Sequence, residues 1–377
     1  MTKSERWVSV LAMAVSLAAP LGCEAEDPAA TGPIGGGAGG AAGATCDADE
    51  GIVSRSGPGC APLATDYRPR EAGSKDDAWP ACVSDGDEYV RFGESISSLG
   101  RVAAFEEIAQ LLGFGGAKAP TPEDFLDARV VYSQEQGLES RVSRREDEHY
   151  PAASELCRDM TAEEQASHPD RCVGPVKIRP ILNAAFVAGI AGEDPVANAA
   201  RIEAALLWFF YTSVYKESVT CATAIADCDS SHAYYSAGTA RAQPAAMARY
   251  MNAIDPYIHD RIFDGTLGTH CWRELDNGAT AMNLAQQAIA LDQLDVALDH
   301  GAARLLIERV RAWAAAAGDE RTAQWGFVQI WGQALDRAVR VRDAAAADRL
   351  ATLFAGDGAG VDVATVEDIL LPLMPCP

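Results

Sequence analysis

The segment DPVANAARIEAALLWFFYTSVYKESVTCATAIADC, residues 194–228, decides the fold class of this chain. Asp194 and Pro195 make a good helix start, because a capping side chain precedes proline at the first helical position. Apolar residues then recur at three- and four-residue spacing, and in the middle of the segment they cover almost the whole helix circumference. This pattern predicts a central helix that packs against neighbours on several sides.

Helical spacing of apolar residues also dominates the rest of the chain from Leu99 onward. One helix is predicted to stop at the glycine-rich residues 113–116, and the next to restart at Thr121, whose side chain caps it. Residues 282–354 show the clearest helical pattern, with a candidate break at His300–Gly301. No alternating strand pattern is longer than about four residues. We predict an all-α, disulfide-stapled bundle of about six to eight helices after a disordered N-terminal tether.

The first residues resemble the export signal of a bacterial lipoprotein. Lys3 and Arg6 precede an apolar run from Trp7 to Leu21, and the sequence Ala-Pro-Leu-Gly-Cys that ends at Cys23 resembles a lipobox. The resemblance implies cleavage before Cys23 and lipidation of its thiol, so that acyl chains hold the protein on a membrane. An ordinary secretory signal with Cys23 in a disulfide is the alternative. Glu24, rather than the aspartate of an inner-membrane retention signal, favours the outer membrane, facing the periplasm or the cell surface.

Composition divides the chain into four parts. These are a lipoprotein signal peptide (1–22), a flexible Gly/Ala-rich tether (23–58), a loop-rich, cysteine-containing lead-in (59–98) and an α-helical domain (99–377). Residues 24–44 contain one large apolar residue, Ile34, and therefore cannot bury a core.

The ten cysteines fit an exported protein, because disulfides persist in oxidising compartments. Nearest-neighbour pairing, followed by pairing towards the C terminus, gives Cys46–Cys60, Cys157–Cys172, Cys221–Cys228 and Cys271–Cys376. If Cys23 is lipidated, Cys82 is then left free. The sequence leaves this connectivity open. None of the spacings is the close double pair of a zinc site.

The net charge is strongly negative, with 54 acidic and 31 basic residues and a balance of −23. Such a chain repels nucleic acid, so no nucleic-acid partner is expected, and a protein partner is not identified by the sequence. A solvated acidic exterior explains the charge more simply than cation binding. The chain has no Gly-x-Ser-x-Gly, no His-Glu-x-x-His and no phosphate-binding glycine loop. The sequence therefore leans against an enzyme.

Metal ligation is the sharpest chemical hypothesis. Glu146 and His149 form a Glu-x-x-His unit, which on a helix places a carboxylate and an imidazole on one face. Ferritin-like di-iron bundles use this unit twice, whereas it occurs once here. The ion would be iron or another divalent metal, and a solvated helix face is the alternative.

Two acidic residues of the central helix are further metal-ligand candidates. Glu203 and Glu217 share one helix face but lie about 21 Å apart, so they cannot serve one metal together. Each could contribute to a different site, and an acidic residue within such an apolar helix should be paired or functional if it is buried. The alternative is that each forms a structural salt bridge, with Arg201 and Lys216 as the nearest basic residues.

A second resemblance covers roughly residues 120–355. The helix ALLWFFYTSVYKE (205–217), then SHAYY (231–235), then long alanine-rich amphipathic helices look like the imelysin-type helical bundles and the algal periplasmic iron-assimilation proteins. The Gly-x-His-x-x-Glu signature of imelysins is missing from this chain. The resemblance implies an exported binding protein linked to iron or another metal.

We expect a membrane-anchored lipoprotein of the bacterial cell envelope that binds a metal ion or a small ligand without catalysis. The alternative is a structural or protein-interaction module of the envelope without a small-molecule site. Glu146, His149, Glu203 or Glu217 placed together around an interior cavity would favour the first function, and the same residues scattered over the surface would favour the second.

Overall fold

The computed structural model describes residues 62–70, 79–94, 96–116, 118–134 and 137–375. The predicted signal peptide and tether lie outside the described residues. So do Cys23, Cys46, Cys60 and Cys376.

The described part of the chain is helical and contains no strand, which confirms the all-α prediction. It has thirteen α-helices, more than the six to eight predicted. They are α1 (Ser97–Leu112), α2 (Pro122–Tyr132), α3 (Leu138–Val142), α4 (Ala162–Ser167), α5 (Arg179–Ile190), α6 (Pro195–Thr220), α7 (Ile225–Ser236), α8 (Met247–Ile254), α9 (Pro256–Leu275), α10 (Leu284–Ala315), α11 (Gly318–Arg340), α12 (Ala344–Phe354) and α13 (Val363–Leu373). The number is higher because Asp255 and Pro256 separate α8 from α9, and because α3 and α4 form within polar segments. None of these helices is both long and apolar enough to cross a bilayer.

Helix α6 lies at the centre of the fold, as predicted. Residues 202–214 are all buried, because α5, α7, α10 and α11 pack around the helix. Its first residue is Pro195, but the predicted cap is wrong: Asp194 has φ 38° and its side chain makes no capping hydrogen bond. A capping side chain works from extended backbone, which Asp194 does not adopt.

The turn between α1 and α2 follows the predicted stop and restart. Gly113, Gly115 and Gly116 all have positive φ, at 63°, 74° and 81°, a region that glycine enters without steric cost. A Cβ atom on Gly113 would also lie 2.5 Å from Cγ of Lys118. The next helix begins after Thr121, whose hydroxyl caps its first turn.

Helix α10 continues through His300–Gly301, so the break proposed there is absent. Gly301 faces α8 and α9 at close range: a Cβ atom on it would lie 2.9 Å from Sδ of Met251 and 3.0 Å from Cγ2 of Ile258. This glycine therefore allows close helix packing and does not end the helix.

The described residues contain three disulfides: Cys82–Cys271, Cys157–Cys172 and Cys221–Cys228. Two of them confirm nearest-neighbour pairing. The third bond, Cys82–Cys271, contradicts two predictions. Cys271 is not bonded to Cys376, and Cys82 has no free thiol. The lead-in folds back on α9, where the Ser84 hydroxyl lies 2.8 Å from Nδ1 of His270. This tertiary contact brings Cys82 to α9.

We predict that the Cys82–Cys271 bond contributes strongly to stability. Replacing both cysteines by serine should lower the free energy of unfolding by about 2–5 kcal/mol, because the bond restricts the unfolded chain. The bond closes a separation of 189 residues, against 15 for Cys157–Cys172. The matched double variant of the shorter loop should therefore lose about 2 kcal/mol less. Urea denaturation measures both. Equal losses, or a free Cys82 thiol in peptide mapping, would contradict the prediction.

Candidate functional site

Glu146 and His149 lie in the loop after α3, which ends at Val142, so they do not share a helix face. The Glu146 carboxylate lies 2.7 Å from Nη2 of Arg171. It also accepts a hydrogen bond from the Cys157 N–H at 3.0 Å. Glu146 therefore anchors the loop through a buried ion pair.

His149 bridges two carboxylates. Its Nδ1 lies 2.6 Å from Oδ1 of Asp147, and its Nε2 lies 2.8 Å from Oδ1 of Asp295. The ring stacks on Tyr215, with ring centroids 3.7 Å apart. Burial alone would lower the pKa of His149, but the hydrogen bonds and charges of the two aspartates raise it to about 9. At neutral pH both ring nitrogens are protonated, so neither has a lone pair for a metal.

Two arginines balance the charge around His149. Nη2 of Arg337 lies 3.2 Å from Asp295 and 2.6 Å from Asp299. Nη1 of Arg342 lies 2.8 Å from the other oxygen of Asp299. Because Asp295 and Asp299 belong to α10, the network joins the loop of His149 to α10 and to the end of α11. This arrangement is typical of a structural ion network.

We predict that His149 makes stability depend on pH. Because folding raises its pKa from about 6.5 to about 9, its contribution is complete below about pH 6.5 and is lost as the pH rises through about 9. The wild-type protein should therefore lose up to about 3 kcal/mol of unfolding free energy over this range, relative to His149→Gln. Denaturation at a series of pH values measures the difference. The control His168→Gln removes an exposed histidine and should keep the wild-type pH dependence. Parallel curves for wild type and His149→Gln would contradict the prediction.

Glu217 is paired with two basic residues near the C-terminal end of α6. Its carboxylate lies 2.9 Å from Nη1 of Arg145 and 3.2 Å from Nζ of Lys216. Burial alone would raise the pKa of Glu217, but these two cations hold it below its ordinary value. The carboxylate of Glu217 is therefore ionised and already paired with two basic side chains.

Glu203 forms a buried ion pair near the N-terminal end of α6. One carboxylate oxygen lies 2.6 Å from Nη2 of Arg309, and the other accepts the Gly115 N–H at 3.1 Å. Arg309 also donates to Oε1 of Gln324 at 3.2 Å, and its guanidinium lies 4.1 Å from the centroid of the Phe327 ring. These contacts, made by three helices and a turn, hold both charged groups in fixed positions.

Glu203 and Arg309 border two adjoining cavities of about 220 and about 580 Å³. Both cavities are lined by Gly113, Phe114, Gly115, Lys118, Glu203 and Arg309. The smaller cavity extends to the first turns of α11, and the larger extends to Tyr250 on α8. We call the two together the Glu203 cleft.

The Glu203 cleft presents charges of both signs. Its further charged residues are Glu106, Arg249, Asp319 and Glu320. Burial, together with the nearby charge of Glu203, raises the pKa of Tyr250 well above its usual range. Tyr250 therefore remains a neutral hydroxyl at physiological pH. Such a cleft has groups for both the anionic and the cationic end of a small molecule.

The structure does not bring the four predicted metal ligands together. Glu146, Glu203 and Glu217 each lie beside a guanidinium, and His149 lies between two carboxylates. Within the described ranges, no group of three or more His, Cys, Asp or Glu side chains is placed to hold a metal. A divalent cation at these carboxylates would meet an arginine, so these residues do not fit a metal centre.

Of the predicted site residues, Glu203 lines the cleft. The sequence interpretation missed Arg309, which is 106 residues away along the chain. It also treated Gly115 only as part of a helix stop. The run of glycines at 113–116 was the local signal, because an N–H in such a turn is free to bind an acidic side chain.

The chain matches no family model, no curated protein and no solved structure. The lipoprotein and imelysin-type resemblances therefore stay predictions, and function has to be argued from the site.

Proposed function

We propose that this protein is a lipid-anchored, exported binding protein whose helical domain holds a small zwitterionic molecule in the Glu203 cleft. One observation carries the proposal. The Glu203 carboxylate is 2% exposed, yet it lines both cavities together with its partner Arg309. A buried ion pair at a cavity wall provides fixed, strongly polarised groups that orient a ligand.

The surrounding charges suit a ligand with two charged ends. Lys118 and Arg249 are available to a carboxylate, and Glu106 to an ammonium group. In the structure, Lys118 pairs with Asp124 at 3.0 Å, and Arg249 pairs with Glu106 at 2.9 Å. Solvent-exposed pairs of this kind are worth only about 0–1 kcal/mol, so a ligand replaces them at little cost.

Size and lining also favour a small organic molecule. The larger cavity, at about 580 Å³, lies within the range of about 300–1,000 Å³ usual for small-molecule sites. Phe114, Val196 and Ala200 supply apolar surface beside the charges. A zwitterion with a short apolar part, such as a free amino acid, matches this combination.

We predict saturable binding of at least one free amino acid. A panel of the free amino acids is tested by thermal unfolding and then by isothermal titration calorimetry on the full-length protein. Lys118→Gln and Glu203→Gln should each weaken binding about tenfold or more, because each removes a charge-assisted contact. The control Glu308→Gln removes a half-exposed carboxylate of α10 that pairs with Arg311.

Glu308→Gln should bind like the wild type. Lys118 is exposed, so its variant tests the cleft even if Glu203→Gln lowers stability. If no amino acid raises the melting temperature or binds in calorimetry, the proposal fails. The structural or protein-interaction module of the envelope then becomes the better hypothesis.

Two observations support the export part of the proposal. The lipobox-like sequence ends at Cys23, and the three disulfides of the described residues suit an oxidising compartment. With a lipid on Cys23, the Gly/Ala-rich residues that follow would connect the helical domain to the membrane.

We predict that Cys23→Ser releases the protein from the membrane. Expressed in a bacterium that processes lipoproteins, the wild-type chain should sediment with membranes and carry a diacylglyceryl group, detected by intact mass spectrometry. The Cys23→Ser variant should be soluble, because it lacks the acyl chains. Cys46→Ser is the matched control and should stay membrane-bound. An unlipidated Cys23 in the wild-type protein would rule out the anchor.

A further inference from the structure

Two arginines contact Tyr234 of α7, and a third interacts electrostatically with Tyr234 and with Glu217 of α6. Arg101 comes from α1, Arg141 from α3 and Arg145 from the loop that follows α3. Nη1 of Arg101 donates to the Tyr234 hydroxyl at 3.4 Å, and the Arg145 guanidinium lies 5.7 Å from the centroid of the Tyr234 ring. We call Arg101, Arg141 and Arg145 the arginine cluster.

The arginine cluster is buried and keeps unused donors. Arg101 and Arg145 are each 3% exposed, and Arg141 is half-buried. The Nε atoms of all three side chains are shielded from solvent and have no hydrogen-bond partner in the described part of the chain. A buried N–H without an acceptor is costly, and natural proteins contain few of them.

The positive charge of the cluster is only partly compensated. Glu217 pairs with Arg145 and also with Lys216. Neither Arg101 nor Arg141 forms an ion pair with any carboxylate of the described ranges. Burial and the positive charge of Arg101 lower the pKa of Arg141, and the nearby Tyr234 and Glu217 offset this lowering only in part. Buried cations of this kind need a counter-charge.

Guanidinium groups define the chemistry of that counter-charge. Each presents a planar fork of N–H donors that matches the paired oxygens of carboxylate, phosphate or sulfate. The Tyr234 hydroxyl has a further proton to donate. Because Arg101 and Arg145 are almost fully buried, a bilayer surface does not reach them. Arg141 is half-buried, so the cluster meets solvent at this side chain.

We propose that the arginine cluster is a binding site for one small oxyanion, held mainly by Arg101 and Arg141. Arg145 is already engaged by Glu217, which positions it beside Tyr234. The site shares no residue with the Glu203 cleft, so it does not depend on the function proposed for that cleft.

The test is titration of the full-length protein, first dialysed into chloride buffer, with sodium phosphate, sulfate or acetate. Ionic strength is held constant with sodium chloride. At least one of the three anions should bind saturably with one site per chain and raise the melting temperature. Comparing the affinities for phosphate and sulfate with the affinity for acetate shows whether the site prefers a tetrahedral or a planar oxyanion.

Two variants link binding to the cluster. Arg141→Gln should weaken binding about tenfold or more, through the loss of a charge-assisted hydrogen bond. Arg101→Lys keeps the charge but removes the fork, and should weaken binding as well. The control Arg349→Gln removes an exposed arginine of α12 that has no ion pair among the described residues, and it should bind like the wild type.

The proposal is overturned if none of the three anions binds or stabilises the protein more than chloride does. It is also overturned if Arg349→Gln weakens binding as much as Arg141→Gln, because the effect then reflects net charge. If Arg141→Gln does not fold, Arg101→Lys still tests the site. Unchanged binding by Arg101→Lys would exclude recognition of the anion by the guanidinium group of Arg101.

Discussion

The enclosure of α6 is the constraint on which the rest of the structure depends. Residues 202–214 are buried on every side, so an acidic side chain at either end of this stretch has to be neutralised within the protein. Glu203 is paired with Arg309 of α10, and Glu217 with Arg145 of the loop after α3. Removing one partner of such a pair costs more than the pair itself contributes, because a buried charge is left alone. The two ion pairs therefore fix where α10 and the loop lie against α6.

The two ends of α6 produce polar regions of different character. At the Glu203 end, acids and bases line a cleft in similar numbers. At the Glu217 end, guanidinium groups outnumber carboxylates although the whole chain carries a charge of −23. Net charge acts over long distances and is screened by salt, whereas a buried group responds mainly to its immediate neighbours. A strongly acidic protein can thus contain a local site that attracts anions, although its overall charge repels them.

Ion pairs, a disulfide and a hydrogen bond also hold the parts of the chain that lack regular structure. The loop after α3 is fixed by Glu146 on Arg171 and by His149 between two aspartates. The lead-in is fixed by the Cys82–Cys271 bond and by Tyr67, whose backbone N–H donates to Gln293 of α10 at 2.8 Å. These contacts make both segments part of the helical core, which apolar periodicity does not reveal.

The sequence by itself determined the features that depend on near neighbours in the chain. The all-α class, the central position of α6, the glycine turn at 113–116 and the start at Thr121 follow from helical spacing, backbone freedom and capping, all of which act within a few residues. Only the tertiary structure decided which partners meet across long separations, such as Cys82 with Cys271 and Glu203 with Arg309. It also decided that His149 lies in a loop, where two carboxylates hold its ring. The physical reason is that periodicity shows which face of a helix is buried, but not which other helix covers it.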